Sequence, residues 1–192
     1  MLERLHKEIK GCTKCPLHTT RKNAVPGCCN PHSQIMFVGE APGRYEDEAG
    51  LPFVGRAGKL LDELLGGIGL SRSDIFITSI LKCRPPKNRL PTSEEVEACA
   101  PHLLSQIDII NPKIICSLGN VATGFFSNKW MRGGIFKWNE RNIFPTYHPA
   151  AALYNPALKK TLERDFRKMK VTLDWSNHLL DHILYLYVGN TM

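Results

Sequence analysis

The sequence predicts an α/β fold in which a parallel sheet is covered on both faces by helices. Two observations carry this. Short apolar runs ending in glycine or small polar residues alternate with segments of helical period. Residues unusual for a core gather in the loops after those runs, the edge at which open parallel sheets bind ligands.

The elements follow in order. Leu2, Leu5 and Ile9 share one helical face. Cys12 and Cys15 come next, then a turn-rich stretch over residues 23–33. Ile35 to Val38 is a buried strand ending at Gly39. Residues 39–56 hold four glycines and two prolines and read as a long loop. Lys59 to Leu65 is helical, and Ile75 to Ile80 is the second strand. Pro85, Pro86 and Pro91 enforce another loop from Cys83 to Pro91. Thr92 with Glu95 forms a capping box that opens a helix to about Ile110. Lys113 to Leu118 is the third strand, and Gly119-Asn120 opens a helix. Ile143 to Tyr147 is the fourth strand, and Pro156 to Lys170 is a basic helix. Residues 171–192 leave three readings open: a strand, a docked helix or a partly ordered tail.

A chain of 192 residues supports one domain with a full core. The expectation is a single domain over 1–192, with 171–192 as a C-terminal extension. No repeat or linker interrupts it. The formal charge of +7 favours a polyanionic partner. No apolar run is long enough to cross a bilayer, and residues 1–10 lack a signal-peptide core. A cytoplasmic protein with no membrane association is expected.

Three unusual loops converge on one sheet edge: Gly39-Glu40-Ala41-Pro42-Gly43, Ser79 to Cys83, and Tyr147-His148-Pro149. Seven cysteines is many for this length and an odd number, unlike a disulfide framework. Cys12-x2-Cys15 has metal-ligand spacing. Cys116 lies in an apolar strand and reads as core. Two four-ligand sets compete: Cys12, Cys15, Cys28 and Cys29, or Cys12, Cys15, Cys83 and Cys99. Adjacent cysteines rarely both ligate one ion comfortably, which favours the second. Four thiolates suit zinc or an iron–sulfur cluster, and spacing does not separate them.

Over roughly residues 1–170 the chain resembles the family 4 uracil-DNA glycosylases, thermophilic-type enzymes that carry a [4Fe-4S] cluster. The resemblance lies in Cys12-x2-Cys15-Pro16, Ile35-Met36-Phe37-Val38-Gly39-Glu40-Ala41-Pro42-Gly43 and Gly50-x-Pro52-Phe53-Val54-Gly55-x-Ala57-Gly58. It continues in Lys82-Cys83-Arg84-Pro85-Pro86-x-Asn88-Arg89-x-Pro91, Cys99 and His148-Pro149-Ala150-Ala151. It implies a three-layer α/β/α sandwich around a four-stranded parallel sheet, with the cluster on Cys12, Cys15, Cys83 and Cys99. It also implies a prokaryotic, nucleoid-associated monomer acting on uracil-containing DNA, single- or double-stranded. A sliding clamp is a further candidate partner, although the chain shows no clear clamp-binding peptide. The sequence departs from the family at Ser79, where the family usually has Asn, and at Cys28 and Cys29.

A glycosylase must unstack the base and break its bond to the sugar, with uracil leaving as an anion. His148 is the expected donor to the uracil oxygen that gains charge. Phe53 is expected to stack on the flipped base. Backbone N–H groups near Ala41 and Gly43 would bind a uracil oxygen. Glu40 or Asn88 would hold the attacking water, Glu46 would support the pocket, and Ser79 would touch the base edge. Leu153 or Tyr154 would fill the vacated stack. Lys82, Arg84 and Lys159 are expected phosphate contacts. Two rival readings keep the fold without the chemistry: a non-catalytic iron–sulfur DNA-binding or damage-sensing module, and a zinc-stabilised nucleotide-binding protein. The Gly39–Gly43 loop lacks the Lys-Ser/Thr of a phosphate-binding P-loop, which weighs against the latter. A glycosylase of relaxed base specificity is a further alternative, raised by Ser79.

Overall fold

A computed structural model describes residues 1–127 and 131–188, with side chains described to residue 173. Seven helices are described: α1 (Leu2–Gly11), α2 (Arg44–Ala49), α3 (Arg56–Gly66), α4 (Ser93–Ile110), α5 (Asn120–Phe126), α6 (Pro149–Tyr154) and α7 (Ala157–Val188). The strands are β1 (Cys28–Cys29), β2 (Ile35–Gly39), β3 (Ile75–Ser79), β4 (Ile114–Leu118), β5 (Phe136–Trp138) and β6 (Arg141–Thr146). They form one sheet in the order β1-β3-β2-β4-β6-β5.

The inner four strands are parallel, as expected, but among the described residues the sheet has six. β1 and β5 add antiparallel edges of two and three residues, too short to show a period in sequence. β5 turns into β6 through Asn139 and Glu140, both at positive φ, the conformation of a two-residue type I′ hairpin.

Alternate strand residues feed two cores, because successive side chains point to opposite sheet faces. Met36, Val38, Phe76 and Ile115 meet Leu5 and Ile9 of α1, Leu103 and Ile107 of α4, and Phe126 of α5. Ile35, Phe37, Ile77, Ile114 and Phe144 meet Leu61 and Leu65 of α3 and Leu162, Phe166 and Met169 of α7. The result is three layers, helix on sheet on helix.

The capping box on α4 forms: Glu95 N–H donates to Thr92 Oγ1 at 3.3 Å, and Thr92 N–H donates to Glu95 Oε2 at 3.0 Å. The helix ends at Ile110, with Asn111 left-handed behind it. Two expectations are revised. The loop over 39–56 contains α2 and the start of α3. The basic helix begins at Ala157 and runs through much of the uncertain C-terminal stretch to Val188, while residues 189–192 lie outside the described residues.

Candidate active site

β2 ends at Gly39, β3 at Ser79 and β6 at Thr146, all with their carboxyl ends on one edge. The loops beyond them enclose a cavity of about 420 Å³. Glu40, Ala41, Gly43, Glu46, Phe53, Ser79, Asn88 and His148 all line it. These are the residues singled out in sequence for catalysis and base contact, drawn from four separate segments. Pro42, Pro52 and Pro85 complete much of the apolar wall.

His148 caps α6. Its Nδ1 accepts the Ala150 backbone N–H at 3.1 Å, so the neutral ring carries its proton on Nε2. Burial pushes the imidazole down to about 4, so at neutral pH the group is an uncharged N–H donor. Its ring stacks directly on Phe53, centroids 5.4 Å apart and 26° from parallel. Gly119 allows this placement: it holds φ +90°, and a Cβ there would lie 3.2 Å from the His148 Cβ.

This burial has a consequence for stability. The folded imidazole titrates near 4 and the unfolded one near 6.5. Between those values the unfolded chain binds a proton that the folded chain does not. Unfolding free energy should therefore fall as pH drops from about 6.5 to about 4. Burial lowers His6 and His102 as well, in the same direction. Urea unfolding at stepped pH should show this decline, with a shallower slope in His148→Asn, which keeps the helix cap.

Glu46 cross-links the pocket wall. Its Oε1 accepts the Val54 and Gly55 N–H groups, each at 2.9 Å, and its Oε2 accepts the Gly43 N–H at 3.2 Å. Its carboxylate is thus committed to backbone, as is the Gly43 donor. Arg72 clamps the same loop from behind, donating to the Pro52 and Phe53 carbonyls at 3.3 and 2.5 Å and to Asp62 at 2.7 Å. Burial raises the Glu40 carboxyl above its ordinary range. Asn88 Oδ1 accepts the Arg84 Nε–H at 2.7 Å.

The outer residues divide. Tyr154 is 90% exposed, whereas Leu153 packs on the α3–α7 core. Lys159 is exposed and paired with Glu63 at 2.8 Å. Lys82 overturns its expectation. It is 1% exposed, and its ammonium is bonded to Thr78, Ser79 and Gln106, so it cannot reach a phosphate. Its charge suggested a surface position, but a polar niche between β3 and α4 holds it inside.

The cysteines also divide. Cys12, Cys15, Cys83 and Cys99 line one cavity between α1, α4 and the loop after β3. Cys28 and Cys29 sit in edge strand β1, and Cys116 is buried within β4. Among the described residues no three His, Cys, Asp or Glu side chains are placed to hold a single metal ion. The four cysteines instead offer a set of sulfur ligands around one small cavity, with hydrogen-bond donors aimed at the sulfurs. Arg21 donates to Cys83 Sγ at 3.0 Å and the Lys82 N–H to Cys99 Sγ at 3.3 Å. His102 lines the same cavity, and its buried Nε2 has no hydrogen-bond partner among the described residues. Burial raises the Cys83 thiol and pushes that of Cys99 up to about 11, so ionising them calls for cationic charge in the cavity.

Sequence reasoning missed Arg21, Arg72 and Gln106. Arg21 and Arg72 act through contacts distant in sequence and carry no local signal. Gln106 did leave one: it is a polar residue among Cys99, Leu103, Ile107 and Ile110 on the buried face of α4.

Comparison with known proteins bears on this cavity. Residues 26–170 match the family model of the Uracil DNA glycosylase superfamily. The type-4 uracil-DNA glycosylase of Saccharolobus solfataricus is 49% identical, over 96% of this chain and 92% of the relative. The type-4 enzyme of Archaeoglobus fulgidus is 46% identical, over 88% and 91%. That of Thermotoga maritima is 45% identical, over 88% and 93%. The matched segment contains every residue lining the cavity except Val25, and it spans the sheet edge that builds it. By that match and by the near-complete overlap with the type-4 enzymes, the chain belongs to the uracil DNA glycosylase superfamily.

Proposed function

We propose that this chain flips uracil out of DNA and hydrolyses its N-glycosidic bond, leaving an abasic site. The single observation that carries this is the neutral, buried His148 on the cavity wall, its proton placed on Nε2 by the Ala150 N–H. Such a donor stabilises a uracil oxygen as negative charge builds on it, without first protonating the base. Phe53 and His148 already touch each other, so the base does not enter between their rings; it stacks on the part of Phe53 that faces the cavity. Ala41 N–H and the Ser79 hydroxyl meet the base edge. Glu40, with its raised carboxyl, and Asn88 hold the attacking water. Tyr154, rather than the packed Leu153, fills the gap in the stack. Arg84 and the exposed basic residues of α7 contact phosphates.

The test is a gel assay on single-stranded and duplex oligonucleotides carrying one uracil, cleaved by alkali after incubation. Strand scission dependent on uracil and absent with thymine is expected. No scission on either substrate would favour the non-catalytic DNA-binding reading.

Cys12, Cys15, Cys83 and Cys99 would hold a [4Fe-4S] cluster, as the ligand set and the hydrogen-bond donors aimed at its sulfurs support. When bound, it supplies a covalent staple joining α1, α4 and the loop after β3. Protein purified without oxygen should be brown and contain about four irons per chain. Stoichiometric zinc in iron-free, fully active protein would refute the cluster.

A further inference from the structure

Lys82 is left without a phosphate, and its surroundings give it another task. β1 pairs with β3 only at Ile77 and Phe76, so among the described residues no strand lies beside the outer side of β3 beyond them. Thr78 and Ser79 close β3 there, and Ser79 lines the cavity. The Lys82 side chain folds back along this open side. Its Nζ donates to Thr78 Oγ1 at 2.6 Å, to the Ser79 carbonyl at 2.5 Å and to Gln106 Oε1 at 2.7 Å. An ammonium has three protons, so all are used. Gln106 Nε2 in turn donates to the Pro26 carbonyl at 2.5 Å, and the Thr78 hydroxyl donates to the same oxygen at 2.9 Å. Lys82 and Gln106 together replace the missing stretch of edge strand.

The main chain of Lys82 reaches further. Its N–H donates to Cys99 Sγ at 3.3 Å, and its carbonyl accepts the Val25 N–H at 2.7 Å. Val25 lines the uracil cavity, and Lys82 itself lines the cysteine cavity. One residue therefore touches the machinery of both. If filling space were enough, an apolar side chain would do so without desolvating a charge. With the Ser79 peptide held, its hydroxyl oxygen is confined to three staggered positions about one torsion, and the one it takes lies beside Gly39 at the cavity, 3.2 Å from where a Cβ on that glycine would sit.

We propose that Lys82 is a positioning residue for base recognition, holding the Ser79 carbonyl from inside so that the Ser79 hydroxyl faces the base, and tying that strand end to the cysteine cavity. This rests on the reading of the chain as a uracil-DNA glycosylase. The experiment is a double-mutant cycle with Lys82→Met and Ser79→Ala, measured as single-turnover excision of uracil on folded protein of equal iron content. Lys82→Met should slow excision at least tenfold in the wild-type background and less than threefold in the Ser79→Ala background. Equal slowing in both backgrounds, or none in either, would overturn the role. If Lys82→Met fails to fold, Gln106→Met, which removes one of the three acceptors, carries the same cycle with the same outcomes. A wild-type chain that excises no uracil would instead overturn the functional reading beneath the proposal.

Discussion

His148→Ala should release uracil one to three orders of magnitude more slowly than the wild type, with DNA affinity little changed. The range is roughly that of losing a single preorganised donor to a developing oxyanion. The structure adds a control. His148 also caps α6 through the Ala150 N–H, so alanine removes a cap, worth about 0.5–2 kcal/mol, together with the donor. Asparagine keeps an acceptor for the cap and has no counterpart to Nε2. His148→Asn should therefore recover stability in denaturant unfolding while excision stays slow. If the asparagine variant excises at the wild-type rate, the loss in alanine is structural and the imidazole is no donor to the base. The pH dependence adds a second check. Because the folded ring titrates near 4, protonation of His148 should not depress excision between pH 8 and pH 5.

Gly58→Ala should be as damaging, for a different reason. A Cβ at Gly58 would lie 1.7 Å from the Phe53 carbonyl oxygen and 2.3 Å from its carbon. Both are backbone atoms, so no side chain can swing aside. Either α3 moves away from the loop or the loop moves into the cavity. Phe53 sits at φ +52°, its carbonyl is held by Arg72, and its ring rests on His148. Any relief therefore disturbs the wall of the site. We expect destabilisation of about 1–3 kcal/mol, typical of overpacking, and at least a hundredfold slower excision in single turnover. Gly124→Ala is the matched control. That glycine lies inside α5 with no atom of the described residues within 4 Å of an added Cβ, and its alanine variant should be neutral or slightly stabilised. Wild-type excision by Gly58→Ala would show that the loop tolerates displacement.

These two residues differ in how far sequence could reveal them. His148 was legible because it follows an apolar run and precedes Pro149-Ala150-Ala151, at the strand end where a parallel sheet binds ligands. The loops lining the cavity were legible on the same ground, since strand direction brings all three to one edge. The α4 capping box was readable because its partners lie three residues apart. What escaped depended on distant partners. Lys82 lies in a basic stretch beside Arg84 and Lys87, and charge alone placed it in solvent. Its burial is decided by Gln106, 24 residues away, and by Pro26 beyond that. Arg21 and Cys83 are 62 residues apart. β1 and β5 escaped for a simpler reason: two or three residues cannot display a period.

Those two short strands also govern what the sheet offers to other chains. An open sheet ordinarily ends in a row of unpaired N–H and C=O groups, a template on which a foreign strand can add and aggregates can grow. Here β6 is paired by antiparallel β5 over three residues and β3 by antiparallel β1 over two, and the Lys82 side chain covers the end of the β3 edge. The ribbons left outermost span two and three residues, and one of them closes at once through the Asn139-Glu140 turn. So short a margin gives an incoming strand little length to pair with. The long apolar strands that build the cores are kept inside the sheet, away from any contact that would spread from one molecule to the next.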